Sequence, residues 1–251
     1  NNALYFSSVS EISEAIWEAL NCQKNLYFQK DFLLSIEKNN PEIKFAYIVL
    51  VDEKDNPITL ATLQFIDFYI DDIKNDLEIL MRKIKNIGRK LHLFPKKKPL
   101  KILICGNTFV SGEHGLFIKE GQDKKTVIKN VAKAILNFVN SNPVLKKEVN
   151  FFLIKDFLNE SLTITNSLKD YNYNPFLVEP NMLLNLQEDW ETFDDYLAAL
   201  KTKFRVKAKK ALHRSATLKI ENVTLENIEK LLPEMTALYK KVSSKADFNL
   251  G

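Results

Sequence analysis

Glu113 and His114 stand side by side in Cys105-Gly106-Asn107-Thr108-Phe109-Val110-Ser111-Gly112-Glu113-His114-Gly115, a segment composed for proton exchange next to a bound anion. A carboxylate beside an imidazole can pass a proton, and free backbone N–H groups in a loop can hold an oxyanion or a phosphate. The glycines permit tight turns and close backbone approach. The segment matches neither the Walker phosphate loop nor the dinucleotide fingerprint, so its competing reading is a structural crossover carrying an incidental histidine. Glu113 and His114 are the candidate catalytic pair, with Asn107 a candidate binding residue.

Other chemistry is thinner. Gln64 and Asp67 lie on one β-prone stretch and are candidate cleft residues. With three histidines, two cysteines and no paired-cysteine motif, the sequence offers no complete metal shell, and none is expected. Cys105 follows an apolar strand and reads as a buried structural thiol. His213 sits in a basic run and reads as a helix-face residue.

Charge is distributed more tellingly than its total of +4 suggests. Arg82, Lys83, Lys85, Arg89, Lys90, Lys96, Lys97 and Lys98 form one acid-free basic stretch. Lys201, Lys203, Arg205, Lys207, Lys209, Lys210 and Arg214 form a second. Solvated faces, an anionic partner or a membrane surface all fit such runs. Nucleic acid would explain the cations, but no base-reading module accompanies them.

The elements that must position these residues alternate in period. A short strand over 4–8 precedes an amphipathic helix with Ile12, Ile16, Trp17 and Leu20 on one face, and a helix over 30–38 ends at Asn39-Asn40-Pro41. β-prone residues 45–51 and 58–69 flank the turn-rich 52–57, which predicts a hairpin. A helix over 71–90, a strand over 100–105, a helix over 124–140, a strand over 150–155 and a short helix over 161–171 follow. Strands over 175–179 and 182–186 would complete a mixed sheet. After a boundary near Gln187, Thr192 and Asp195 are spaced to cap a helix running to Arg214. In it Phe193, Leu197, Leu200 and Phe204 are expected to pack, while Lys203, Lys207 and Lys210 stay wet. A strand over 217–220 and a helix over 225–242 close the chain.

Composition bounds the rest. Apolar residues make up 45% of the 251, with 17 Phe and 8 Tyr, enough for a substantial core and against disorder. Two cysteines favour a reducing compartment. No apolar run approaches the roughly 20 residues that span a bilayer, and no signal core opens the chain, so a cytoplasmic location is expected.

Trp190-Glu191-Thr192-Phe193-Asp194-Asp195-Tyr196-Leu197-Ala198-Ala199-Leu200, followed by Lys203-Phe204-Arg205 and Lys209-Lys210, resembles the inter-domain segment of FemAB-like acyltransferases, whose architecture is GNAT-like. The resemblance implies a mixed-sheet GNAT-like (acyl-CoA N-acyltransferase-like) α/β unit over 1–187, a basic connecting helix over 188–215 and the start of a second unit over 216–251. It implies transfer of an acyl or aminoacyl group from acyl-CoA or aminoacyl-tRNA to an amine, the acceptor being a small molecule or a peptidoglycan-precursor-like compound. No tightly bound cofactor is implied, only acyl-CoA as a donor. Tyr196 and Leu200 carry over as packing anchors, and Lys203, Arg205, Lys209 and Lys210 as the basic part of the motif and candidate donor-binding residues. The usual glycine-rich pyrophosphate loop after the fourth strand is missing. The alternative is a catalytically inactive binding or scaffold module that contacts an acidic partner. A deep cleft joining Gln64, Asp67, Glu113 and His114 would favour the enzyme; scattered placement would favour the module.

Overall fold

The computed structural model describes residues 2–68, 99–177 and 183–245. The helix expected over 71–90, the basic stretch 82–98 and residues 178–182 of the two expected late strands lie outside them. The chain divides between Phe176 and Leu177 into two compact units.

In the first unit, β1 (Asn2–Phe6) precedes α1 (Glu14–Leu20) and α2 (Lys30–Asn39), and then β2 (Lys44–Val51) and β3 (Pro57–Phe68) form an antiparallel hairpin. Asp52 makes the turn: its carboxylate accepts from the N–H groups of Lys54 and Asn56 at 2.8 and 2.9 Å, and Asp55 takes a left-handed φ of 60°. β4 (Leu100–Cys105) adds to β3 antiparallel, β5 (Leu116–Ile118) follows, and α3 (Lys124–Asn140) with α4 (Pro143–Glu148) leads into β6 (Val149–Ile154), parallel to β4. Among the described residues the sheet has six strands and runs β1-β2-β3-β4-β6, with β5 also paired to β3. This is a mixed α/β architecture.

Strand periodicity explains the layering. Successive side chains of a strand point to opposite faces. In β2, Ala46, Ile48 and Leu50 meet Val127, Val131, Ala134 and Ile135 of α3. Phe45, Tyr47, Val49 and Val51 meet Trp17, Leu20, Phe28 and Leu33 on the other side. A strand buried on both faces reads as an unbroken apolar run, as 45–51 does. A carboxylate joins these layers: Glu37 of α2 accepts from Ser8 Oγ and Val9 N, both at 2.7 Å, and hydrogen-bonds the buried Tyr47 hydroxyl.

Several sequence expectations need correction. The first helix proper starts after Ser13, with Ser8 capping a separate 3₁₀ turn at Val9–Glu11. Residues 161–171 belong to a 3₁₀ segment, Asn159–Tyr171. Residues 175–177 and 183–186 form no strand, and neither do 217–220. The strand β5 and the helix α4 were not expected, although Asn142 capping Pro143 at the first helical position is a standard start signal.

In the second unit the helix expected from Thr192 to Arg214 is two helices, α5 (Phe193–Ala199) and α6 (Thr202–Ser215), because Leu200 and Lys201 take extended ψ values of 142°. The capping box is present: Asp195 N donates to Thr192 Oγ1 at 3.3 Å and Thr192 N to Asp195 Oδ2 at 2.8 Å. The Thr192 hydroxyl, donating to Asp195 Oδ2 at 2.7 Å, and then the Thr192 N–H hold the Asp195 carboxyl below the usual range. Leu197 is buried, Leu200 is half-buried, and Phe193 and Phe204 are half-exposed at 54% and 50%, contrary to the expected packing. Lys203, Lys207 and Lys210 are exposed as expected. α7 (Ile228–Ser243) follows. Among the described residues no helix is long and apolar enough to cross a membrane.

Candidate functional site

The candidate loop bridges β4 and β5, which pair with successive stretches of the same strand, β3. Thr62 is the hinge point between them. Gly106 N donates to the Thr62 carbonyl at 3.1 Å, and Thr62 N donates to the Gly115 carbonyl at 2.9 Å. The two ends of the loop therefore touch. A Cβ on Gly115 would lie 2.2 Å from Gly106 Cα, so this closure requires glycine at 115. Gly112, with φ at 114°, supplies the left-handed turn within the loop.

Side chains from β3, from the segment after β6 and from the loop itself then fix it. Gln64, buried in β3, accepts at Oε1 from Thr108 N at 2.9 Å. Asn107, also buried, accepts at Oδ1 from Phe109 N at 2.9 Å. Lys155, directly after β6, donates through Nζ to the carbonyls of Asn107 and Val110 at 2.7 and 3.0 Å, and pairs with Asp156 at 2.6 Å. Asp156 accepts from Gly112 N at 3.3 Å and holds a left-handed φ of 65°. Lys155 N donates to the Cys105 carbonyl at 3.1 Å, which continues the parallel β4–β6 pairing past the end of both strands.

The candidate catalytic pair is drawn apart. Glu113 Oε1 accepts from Leu158 N at 2.8 Å, clamping the chain ahead of the 3₁₀ segment. The His114 ring lies against Tyr27, centroids 3.8 Å apart, with Nδ1 buried and lacking a hydrogen-bond partner. Burial pushes the Cys105 thiol up to about 12, so it is no thiolate at neutral pH. Asp67 sits at the opposite end of β4, where it and Glu148 pair with Lys101 at 3.7 and 3.1 Å. The hydrogen bond to Glu148, with the Asp67 charge, raises the Lys101 pKa despite partial desolvation. Gln64 and Asn107 thus share the loop, while Asp67 does not reach it. Lys203, Arg205, Lys209 and Lys210 lie on α6 in the second unit. Arg205 Nη1 there donates to the Ala198 carbonyl at 3.3 Å, satisfying an end of α5.

A cleft of about 210 Å³ opens beside the loop, lined by Cys105, Glu113, Gly115, Lys124, Lys155 and Phe157 among others. A second hollow, about 300 Å³, is lined by Lys44, Asp67, Lys101 and Glu148. Among the described residues no three His, Cys, Asp or Glu side chains are grouped to hold a metal. Sequence reading missed Lys155, Asp156 and Thr62. A Lys-Asp pair immediately after a strand is the signal that was available for the first two.

No family model matches the chain, and no curated protein does. Two solved structures align with it, a tetramutant and another mutant of the BH1408 protein from Bacillus halodurans. They share 9% and 10% identity, cover 74% of this chain and all of theirs, and give a TM-score of 0.37. At that level of superposition neither fold nor activity transfers. The first unit is a mixed α/β unit with a pinned loop at the end of its parallel strand pair.

Proposed function

We propose that this chain is an acyltransferase-like protein of GNAT-like, FemAB-like type whose first unit is a catalytically silent binding unit. The order of elements supports the type: two helices after β1, an antiparallel hairpin, then a fourth strand paired in parallel with β6 across a helical crossover. The capped segment at Thr192 and the basic helix behind it are the residues that carry the resemblance.

The observation that carries the silent reading is that the loop's polar groups are taken up by partners within the protein. Acyl transfer needs a base for the attacking amine and aimed N–H donors for the tetrahedral oxyanion. The amides of Gly106, Thr108, Phe109, Gly112 and His114 each already donate within the protein. The Glu113 carboxylate holds Leu158 N, and the Lys155 ammonium is spent on two carbonyls and Asp156. Asp67, at the other end of β4 beside Lys101, stands apart from Gln64, Glu113 and His114, which an enzyme reading would gather with it. This reading leaves acyl-CoA and aminoacyl-tRNA as the donor classes to test, and assigns no transfer step to residues 105–115.

The test is product mass spectrometry on the full 251-residue chain with acyl-CoA or aminoacyl-tRNA and a panel of amines. No acyl-transfer product is expected from either donor. A product whose formation collapses in Glu113→Gln or His114→Ala contradicts the reading.

A further inference from the structure

We infer that α6 docks flat on an anionic phospholipid surface. The helix carries Lys203, Arg205, Lys207, Lys209, Lys210 and Arg214 and no acidic residue. At 3.6 residues per turn, Lys203, Lys207, Lys210 and Arg214 fall within an arc of about 60°. Phe204, Ala208, Ala211 and Leu212 fall in the adjoining arc of about 100°, and Arg205 with Lys209 borders that arc on its far side. An apolar strip edged by cations on both sides is the pattern of a helix lying in the headgroup plane. Phe204 and Leu212 remain 50% and 46% exposed, and the four cations of the stripe are exposed. Val206, 60% exposed, points away from the strip and takes no part.

Charge complementarity selects the occupant. Six cations without a compensating acid on one helix match a negatively charged surface such as anionic lipid. A phosphate backbone would engage the cations but leave the apolar strip in water. Single-stranded nucleic acid stacks on several aromatics, whereas Phe204 is the one aromatic of α6. Lysine is depleted at the cores of protein interfaces, so a lysine-edged strip fits a protein partner poorly.

The experiment is co-sedimentation of the full chain with vesicles of 30% phosphatidylserine in phosphatidylcholine, against pure phosphatidylcholine. Binding to the anionic vesicles alone, weakened by salt, is expected. The triple change Lys203→Gln, Lys207→Gln, Lys210→Gln should lower the partition coefficient roughly 100-fold. Phe204→Ala should lower it several-fold with the helix content unchanged by circular dichroism. Equal binding to both vesicles, or wild-type binding by the triple variant, overturns the inference. So does the absence of vesicle binding alongside capture of a 20-nucleotide RNA, or alongside self-association seen by light scattering. This outcome is separate from the transfer assay, because vesicle binding is read without any acyl donor.

Discussion

The two units spend their apolar residues in opposite ways. Residues 2–176 bury Trp17, Tyr47, Phe28, Leu60, Leu103 and Ile135 almost completely, on both faces of one sheet. In the described part of the second unit, Leu197 alone is a buried hydrophobic, while Leu232, Leu238 and Val242 of α7 stand 53%, 57% and 71% exposed. Both regions have good local signals: periodic apolar residues, caps, turn chemistry. Local signals make helices, but a core needs non-local partners, and most helix stability in proteins comes from packing an apolar face. A helix without a packed face is marginal in water and available for binding.

The largest effect expected of this contrast is on the core. Trp17→Ala should cost about 3–5 kcal/mol, read from urea unfolding, because the ring is fully buried and leaves a cavity. Leu238→Ala on α7 should move the same transition by less than about 0.5 kcal/mol. Comparable costs would break the comparison. Next comes Glu37→Ala, expected to cost about 2 kcal/mol, since it strips the partner from Ser8, Val9 and the buried Tyr47 hydroxyl.

Alkaline pH sharpens the contrast differently. Burial raises the Cys22 thiol to about 11 and Cys105 to about 12, from an unfolded value near 9.0. A folded pKa above the unfolded one gives a contribution fully present below pH 9.0, lost as pH rises toward 11 and 12. The first unit should therefore lose stability through that window in a pH series of urea melts, and less in Cys22→Ala. A transition independent of pH there would contradict the burial of both thiols. The smallest effect belongs to Thr192→Ala, about 1 kcal/mol on α5, visible as faster amide exchange there with β2 unchanged.

What could be read in advance follows the same division. The hairpin was legible because Asp52 and Asn56 supply turn chemistry inside six residues, and the band on α3 because its period is local. The cap at Thr192 needs three residues of sequence, and it is there. β5 escaped because three residues, 116–118, carry no period, and they are strand only through pairing with Thr59–Ala61. The 3₁₀ winding of 159–171 and the break at Leu200 are choices among similar local energies. At the site, residue types were legible and their partners were not. Lys155 reaches Asn107 across 48 positions, and Glu113 reaches Leu158 across 45. Such closures convert apparent catalytic groups into fasteners, which no spacing rule reveals.

Hydrogen–deuterium exchange on the full chain tests the central claim most directly. Amides of β2, β3 and β4 should exchange at the rate set by global unfolding, and those of α6 and α7 orders of magnitude faster. Protection of residues 202–215 and 228–243 equal to that of 44–51, in the chain without lipid or partner, would contradict the account.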